Sequence, residues 1–340
     1  MKPNLTTFTN SGASPTSSEA YFKRSVLQAK RTSSASELGT SSEVTWCPGC
    51  PNHMILAAVK QTITNLIEAP TKSVSQRSGL TAKRSHSEAV SQRSGLSQND
   101  FCITTDIGCH AKIFDYINLS GIYCLHGRSI PTAIGIKLGN PNLKVLTFAG
   151  DGATYSEGMA HFIHAFKHNA NMTLILHDNQ SFSLTTGQPT PTTQQGYISK
   201  SQTLGVQDRP FNPIKLALAS NATFIARTSA RDIKHMVEIF TKAIQHNGFS
   251  FVEIIQDCLI FNTESNNKDN RMYKIPDNSE YKKAQTLAEE FDYNSKSGKI
   301  PIGVIYQTQE RTLEEKWPQL KKKLNQNSNK PKKKSLFQLN

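Results

Sequence analysis

Residues 144–179 read KVLTFAGDGATYSEGMAHFIHAFKHNANMTLILHDN, and the fold follows from how this stretch divides. KVLTFAG (144–150) and MTLILHD (172–178) are continuous apolar runs of strand length, while SEGMAHFIHAFKHN (156–169) carries its apolar residues at helical spacing. Strand, helix and strand in this order make a βαβ crossover, whose right-handed path brings the second strand back parallel to the first. Strands without polar alternation are covered on both faces. The expected class is therefore α/β, a mostly parallel sheet with helices on both faces.

The same alternation continues outward. FCITT (101–105) and SFVEIIQ (250–256) read as further strands. HMILAAVKQTITNLI (53–67), SIPTAIGIKLG (129–139), PIKLALAS (213–220) and ARDIKHMVEIFTKAIQ (230–245) read as helices, the second with small residues for close packing. Residues 41–265 are expected to form one domain. Residues 1–40, rich in Ser, Thr and Asn, are expected to be a disordered extension. Residues 266–340 form a polar C-terminal extension with one apolar run, IPIGVIYQ (300–307), before a basic tail.

VSQRSGL occurs at 74–80 and again at 90–96, a period of 16. Two polar copies are too few to stack into a solenoid. A duplicated loop insertion at about 71–99 is the better account, since added loop length costs little closure entropy. It is given no catalytic role.

The chain has 39 Lys and Arg against 26 Asp and Glu, a formal charge of +13, with basic residues clustered near the C-terminus from Lys321 to Lys334. Such a balance can attract nucleic acid, anionic lipid or an acidic protein. No apolar run reaches the length of a membrane span, and residues 1–45 lack the basic-then-apolar order of a secretory signal. A cytoplasmic protein is expected, with no membrane association. The six cysteines, Cys47, Cys50, Cys102, Cys109, Cys124 and Cys258, then suggest metal ligation ahead of disulfides.

Gly150-Asp151-Gly152 follows a buried strand, at the sheet edge where open α/β folds bind ligands. The glycines allow backbone to approach a diphosphate, and Asp151 can face a metal. Asn179 ends the next strand, with 26 residues between it and Gly152, so one crossover returns it to the same edge. A carboxylate, an amide oxygen, a main-chain carbonyl, phosphate oxygens and water make an octahedral magnesium shell. Gly-Asp-Gly alone reads more readily as a tight turn; the spacing to Asn179 favours the cofactor.

Cys47 and Cys50 form C-x-x-C around Pro48 and Gly49, a pattern shared by zinc, redox and iron–sulfur sites. Spacing does not choose the remaining two ligands. Cys102 and Cys124 lie in apolar or strand-like surroundings, whereas Cys109 and Cys258 follow strands and can reach the diphosphate edge.

GDGATYSEGMAHFIHAFKHNANMTLILHDN (150–179) resembles the thiamine diphosphate-binding motif. WCPGC (46–50), IGCHAK (107–112), LHGRSIPTAIGIKLGNPN (125–142), GQPTPTT (187–193) and IPIGVIYQ resemble, in the same order, the β subunit of 2-oxoacid:ferredoxin oxidoreductases. The resemblance covers residues 46 to about 307 apart from the repeat insertion. It implies that the Ser181 carbonyl completes the magnesium shell of Asp151 and Asn179. It implies a thiamine-lining loop of Ile107, Gly108, Cys109 and His110, with Gly127, Gly150, Gly152, Ala153, Ser183 and Leu184 as further cofactor contacts. Cys47, Cys50, Cys109 and Cys258 match the ligands of a 4Fe–4S cluster. His126 matches a histidine near the thiamine, although by itself it reads as a structural histidine. Lys112 reads either as a solvated lysine or as a partner for a substrate carboxylate. Ser183 and Thr186 stand where the family commonly has glycine, and Phe182 replaces a frequent tyrosine.

The implied reaction is oxidative decarboxylation of a 2-oxoacid with coenzyme A, electrons passing to ferredoxin. Pyruvate, 2-oxoglutarate and branched or aromatic 2-oxoacids all fit, with a tilt to 2-oxoglutarate or a broad range. No residue matches the glutamate that thiamine enzymes place against the aminopyrimidine, so an α or fused γ–α partner is implied. A non-oxidative thiamine decarboxylase or synthase would need Asp151 and Asn179 but no cluster. A zinc-stabilised nucleic-acid-binding protein would use the C-x-x-C and the positive charge, but no paired zinc-knuckle spacing or aromatic-basic motif supports it, and no nucleic-acid partner is expected.

Overall fold

The computed structural model describes residues 38–69, 95–266, 268–295 and 297–327. The extension at 1–37, nearly all of the repeat insertion and the tail beyond 327 lie outside the described residues.

Eight strands form one sheet in the order β2-β1-β3-β4-β6-β5-β8-β7. In chain order they are β1 (Phe101–Thr105), β2 (Gly121–Tyr123), β3 (Lys144–Gly150), β4 (Met172–Asp178), β5 (Phe224–Ser229), β6 (Phe249–Ile255), β7 (Met272–Lys274) and β8 (Ile300–Gln307). All neighbours are parallel except β5 and β8, which run antiparallel. Every residue of β1, β4, β5 and β6 is buried, as continuous apolar strands require.

The helices are α1 (Asn52–Glu68), α2 (Ile113–Tyr116), α3 (Ser129–Gly139), α4 (Asp151–Tyr155), α5 (Met159–His168), α6 (Pro213–Ala219), α7 (Ile233–Gln245), α8 (Tyr281–Glu290), α9 (Leu313–Lys316) and α10 (Pro318–Asn327). One core layer packs α1 and α7 on the sheet through Ile55, Val59, Ile63, Met236 and Phe240. The opposite layer packs α3, α5, α6 and α8 through Ile130, Phe162, Phe166, Ile214 and Leu287. Helix starts are capped locally: Asn212 Oδ1 accepts from the Lys215 amide and Asp232 Oδ1 from that of His235.

Two findings depart from the expected layout. The helix expected over 156–169 begins as α4 at Asp151, breaks at Ser156–Gly158 and resumes as α5. The break is tertiary in origin, because a Cβ on Gly158 would meet the Ala153 carbonyl oxygen at 2.7 Å, and one on Gly127 would meet the Gly158 nitrogen at 2.7 Å. In addition, the C-terminal extension supplies two strands of the same sheet. IPIGVIYQ becomes β8, and behind it Arg227 and Glu253, both fully buried, pair at 2.6 Å with the Tyr293 hydroxyl closing the group.

Candidate active site

Strands β1, β3, β4 and β6 are adjacent in the sheet, and their carboxyl ends open into one cleft. The loop after β1 brings Ile107, Gly108, Cys109 and His110 to it. The turn after β3 brings Gly150, Asp151, Gly152 and Ala153, and the end of β4 brings Asn179, Ser181, Ser183 and Leu184. His126 lines the opposite wall. A cleft at strand ends with a few convergent polar groups is the ordinary place of a cofactor site in an open α/β sheet.

Asp151 is 2 % exposed at the start of α4. Two neutral hydroxyls hold its Oδ2, Thr190 Oγ1 at 2.6 Å and Thr192 Oγ1 at 2.9 Å. Both come from the 187–193 loop, which Gln180 fastens by donating from Nε2 to the Thr192 carbonyl at 2.6 Å. Among the described residues no Lys or Arg lies within ion-pair distance of Asp151. Burial pushes its carboxyl up to about 6, partly offset by the threonine hydroxyls. Asp178, also buried, is raised by burial and then by the charge of Asp151, and its Oδ2 has no hydrogen-bond partner. Two buried carboxylates, on which the Lys268 charge acts without forming an ion pair, fit a bound cation. Asn179 adds an amide whose Oδ1 accepts from the Ser181 nitrogen at 3.1 Å, and the Ser181 hydroxyl lacks a partner.

The motif glycines have a more specific reason than access for a diphosphate. A Cβ on Gly108 would meet His110 Cε1 at 2.6 Å, and one on Gly150 would meet the same atom at 2.9 Å. A Cβ on Gly152 would meet Phe182 Cε1 at 2.2 Å. They make room for two cleft side chains. His110 Nε2 lies 2.6 Å from Asp106 Oδ1, and Ser129 Oγ donates to Asp106 Oδ2 at 3.1 Å. His126 Nδ1 is 2.8 Å from Glu157 Oε2, and its ring faces Phe182 at 5.8 Å.

At the other end of the cleft, the C-x-x-C turn packs on the segment after β6: a Cβ on Gly49, at φ +78°, would sit 3.4 Å from Leu259 Cδ1. Trp46 Nε1 donates to the Cys109 carbonyl at 2.6 Å, tying the same turn to the β1 loop. Burial pushes the Cys50 thiol up to about 12, with Cys109, Cys47 and Cys258 each adding to the rise. Burial likewise pushes Cys109 up to about 11, with further increments from Cys258 and Cys47. The four cysteines are thus electrostatic neighbours. Cys102 and Cys124 are buried elsewhere, bonding weakly to backbone carbonyls. Among the described residues no group of three or more His, Cys, Asp or Glu side chains is arranged to hold a metal ion. A cluster of several irons keeps its thiolates farther apart than one ion does, so neighbouring but unconverged thiols suit it.

Some expected site residues sit elsewhere. Gly127 is outside the cleft lining and packs at φ +68° against Ala153 and Gly158. Lys112 is also outside it; its Nζ donates to Thr45 Oγ1 at 3.0 Å, beside the cysteine turn. Cys47, Cys50 and Cys258 flank the cleft without lining it. Thr186 keeps a left-handed φ of +77° despite its branched side chain, so the turn holds the backbone a glycine would favour.

The cleft also contains Asn52, His177 and Gln256, which the sequence reading did not single out. His177 Nδ1 lies 3.0 Å from Asn52 Oδ1 and 3.2 Å from Gln256 Oε1. Burial lowers its pKa well below the ordinary value, and His110 adds to the effect. These three uncharged groups come from α1, β4 and the end of β6, and no sequence motif joins them.

Residues 106–254 match the family model for the thiamine pyrophosphate enzyme C-terminal TPP binding domain. The chain is 34% identical over 277 residues to the 2-oxoacid:ferredoxin oxidoreductase subunit beta of Saccharolobus solfataricus, covering 78% of this chain and 82% of that one. It is 34% identical over 226 residues to the 2-oxoglutarate oxidoreductase subunit KorB of Mycobacterium tuberculosis, covering 66% of this chain and 53% of that protein. Among solved structures, a 2-oxoglutarate:ferredoxin oxidoreductase from Magnetococcus marinus superposes with a TM-score of 0.72 at 27% identity, covering 87% of this chain and 92% of that one. The parallel sheet, the Asp151 turn at its edge and these likenesses agree: the chain belongs to the family of 2-oxoacid:ferredoxin oxidoreductase β subunits, oxidoreductases built on a thiamine pyrophosphate-binding domain.

Proposed function

We propose that the chain binds magnesium thiamine diphosphate and a 4Fe–4S cluster as one subunit of an enzyme that converts a 2-oxoacid to its acyl-CoA and passes electrons to ferredoxin. The observation that carries this reading is the two-ended cleft, with Asp151 and Asn179 at one end and four neighbouring cysteines at the other. Asp151, Asn179 and the Ser181 carbonyl would hold the magnesium ion. Cys47, Cys50, Cys109 and Cys258 would hold the cluster. Bound thiamine diphosphate supplies an electron sink at the carbon that loses carbon dioxide.

The chain's own residues do the rest by placement. Ile107 and Leu184, both partly exposed at the mouth, cover apolar cofactor surface and exclude water. Asp106 and Glu157 orient the rings of His110 and His126, so each can hold or pass a proton at a fixed nitrogen. The missing glutamate would come from an α or fused γ–α partner, and the positively charged chain would receive an acidic ferredoxin. The relatives' names favour 2-oxoglutarate or a broad range of 2-oxoacids. Among the described residues no helix is long and apolar enough to cross a membrane, and a cytoplasmic enzyme is the matching proposal.

The test is anaerobic purification with the partner, followed by iron analysis, visible spectroscopy and viologen reduction across several 2-oxoacids with coenzyme A. The expected result is a brown protein bleached by dithionite, with viologen reduction dependent on a 2-oxoacid and coenzyme A. A colourless, iron-free preparation would overturn the electron-transfer part and leave the non-oxidative thiamine enzyme.

A further inference from the structure

Ser183 stands between the two ends of the cleft. Asn179 Nδ2 donates to Ser183 Oγ at 3.2 Å, and Ser183 Oγ donates to Cys258 Sγ at 3.2 Å. The hydroxyl has one proton, and its alternative acceptor, the Ser181 carbonyl, lies farther away at 3.4 Å. Sulfur is the larger atom, so 3.2 Å is the closer contact of the two. The Phe261 amide reaches the same sulfur at 3.3 Å, so Cys258 Sγ accepts two hydrogen bonds from its surroundings. Glycine, the residue the family resemblance leads one to expect at 183, would supply neither the hydroxyl nor the link.

We propose that Ser183 is a positioning residue that couples the cation held at Asn179 to the reduction potential of the cluster held at Cys258. This rests on the function proposed above. A hydrogen bond to a cluster thiolate stabilises the reduced, more negative state and raises its potential. Asn179 can only give its carbonyl oxygen to a cation, because the amide nitrogen is a donor without an acceptor site. A cation on Oδ1 withdraws density from the amide and makes Nδ2–H a stronger donor. The polarised Ser183 hydroxyl then binds Cys258 Sγ more tightly, as hydrogen bonds in a chain strengthen one another. Filling the cofactor end therefore makes the cluster a better electron acceptor, and by linkage a reduced cluster tightens the cation site. A backbone carbonyl could not form this chain, since the link needs one atom that accepts and donates at once.

The experiment is an anaerobic redox titration of the assembled enzyme, read by electron paramagnetic resonance, with and without magnesium thiamine diphosphate. The variants are Ser183→Gly, Ser183→Ala and Ser183→Thr, with iron content measured for each. Wild type is expected to titrate at a higher potential than the Gly and Ala variants by about tenfold in the reduction constant, roughly 59 mV for one electron. Addition of magnesium thiamine diphosphate should raise the wild-type potential and leave the Gly variant much less changed. Ser183→Thr, which keeps the hydroxyl, should behave as wild type. Equal potentials in wild type and Ser183→Gly at full iron content would overturn the proposal, as would an identical cofactor-induced shift in both. Absence of iron from wild type itself would overturn the function proposed above instead.

Discussion

The two ends of the cleft are built in opposite ways. At the Asp151 end the carboxylate is fixed before any ligand arrives: Oδ2 is held by two threonine hydroxyls, and Gln180 bolts the threonine loop to the end of β4. At the cysteine end, four thiols meet across three separate chain segments, and burial with mutual repulsion raises the pKa of Cys50 and Cys109. The first end is preorganised for a cation that exchanges, with neutral donors that do not compete with it. The second would suit a group that itself stabilises thiolate sulfur, as the proposed cluster would.

This contrast predicts that the ends can be broken separately. Asp151→Ala is expected to lower thiamine-dependent turnover by about a thousandfold while iron per chain stays near the wild-type value. Cys50→Ala is expected to do the reverse, removing most of the iron while magnesium-dependent thiamine diphosphate binding survives in calorimetry. Parallel loss of iron in both variants would show that the ends fold as one unit.

A second test concerns how Asp151 is held. Thr190→Val is expected to weaken magnesium in the presence of thiamine diphosphate by about tenfold or more, the worth of a hydrogen bond to a charged group. Thr190→Ser should restore most of it. If Ser fails as badly as Val, packing and not the hydroxyl is responsible.

Lys112→Ala should have the smallest effect. Its ammonium bonds to Thr45 at the exposed edge of the cysteine turn, so KM for the 2-oxoacid is expected to change by less than about threefold, in line with exposed polar contacts. A large rise in KM with unchanged iron would reinstate Lys112 as a substrate contact.

IPIGVIYQ was read only as an apolar run, and β2, β5 and β7 were not read, whereas β1, β3 and β4 were legible because burial on both faces leaves a continuous apolar signature: they begin and end where FCITT, KVLTFAG and MTLILHD do. The antiparallel pairing of β8 with β5 was not, since an apolar run states that it is buried but not beside what. The break between α4 and α5 was hidden for a related reason: Gly158 is required by Gly127, thirty-one positions earlier, and no local pattern carries that. At the site, Asp151 and Asn179 were readable because one crossover fixes both. Asn52, His177 and Gln256 were not, because uncharged side chains on three distant elements meet only once the sheet is assembled. Lys112 read two ways because it neighbours the cofactor loop in sequence; in the structure its ammonium bonds to Thr45.

The bond from Trp46 to the Cys109 carbonyl also gives the molecule a built-in optical gauge. The chain has two tryptophans, one buried at 7 % exposure beside the cysteines and the other, Trp317, half exposed on the C-terminal segment. An iron–sulfur chromophore absorbs where indole emits, so a loaded cluster would darken Trp46 and leave the red-shifted glow of Trp317. Loss of iron would restore the blue component, and the colour of the fluorescence alone would report how many chains carry their metal.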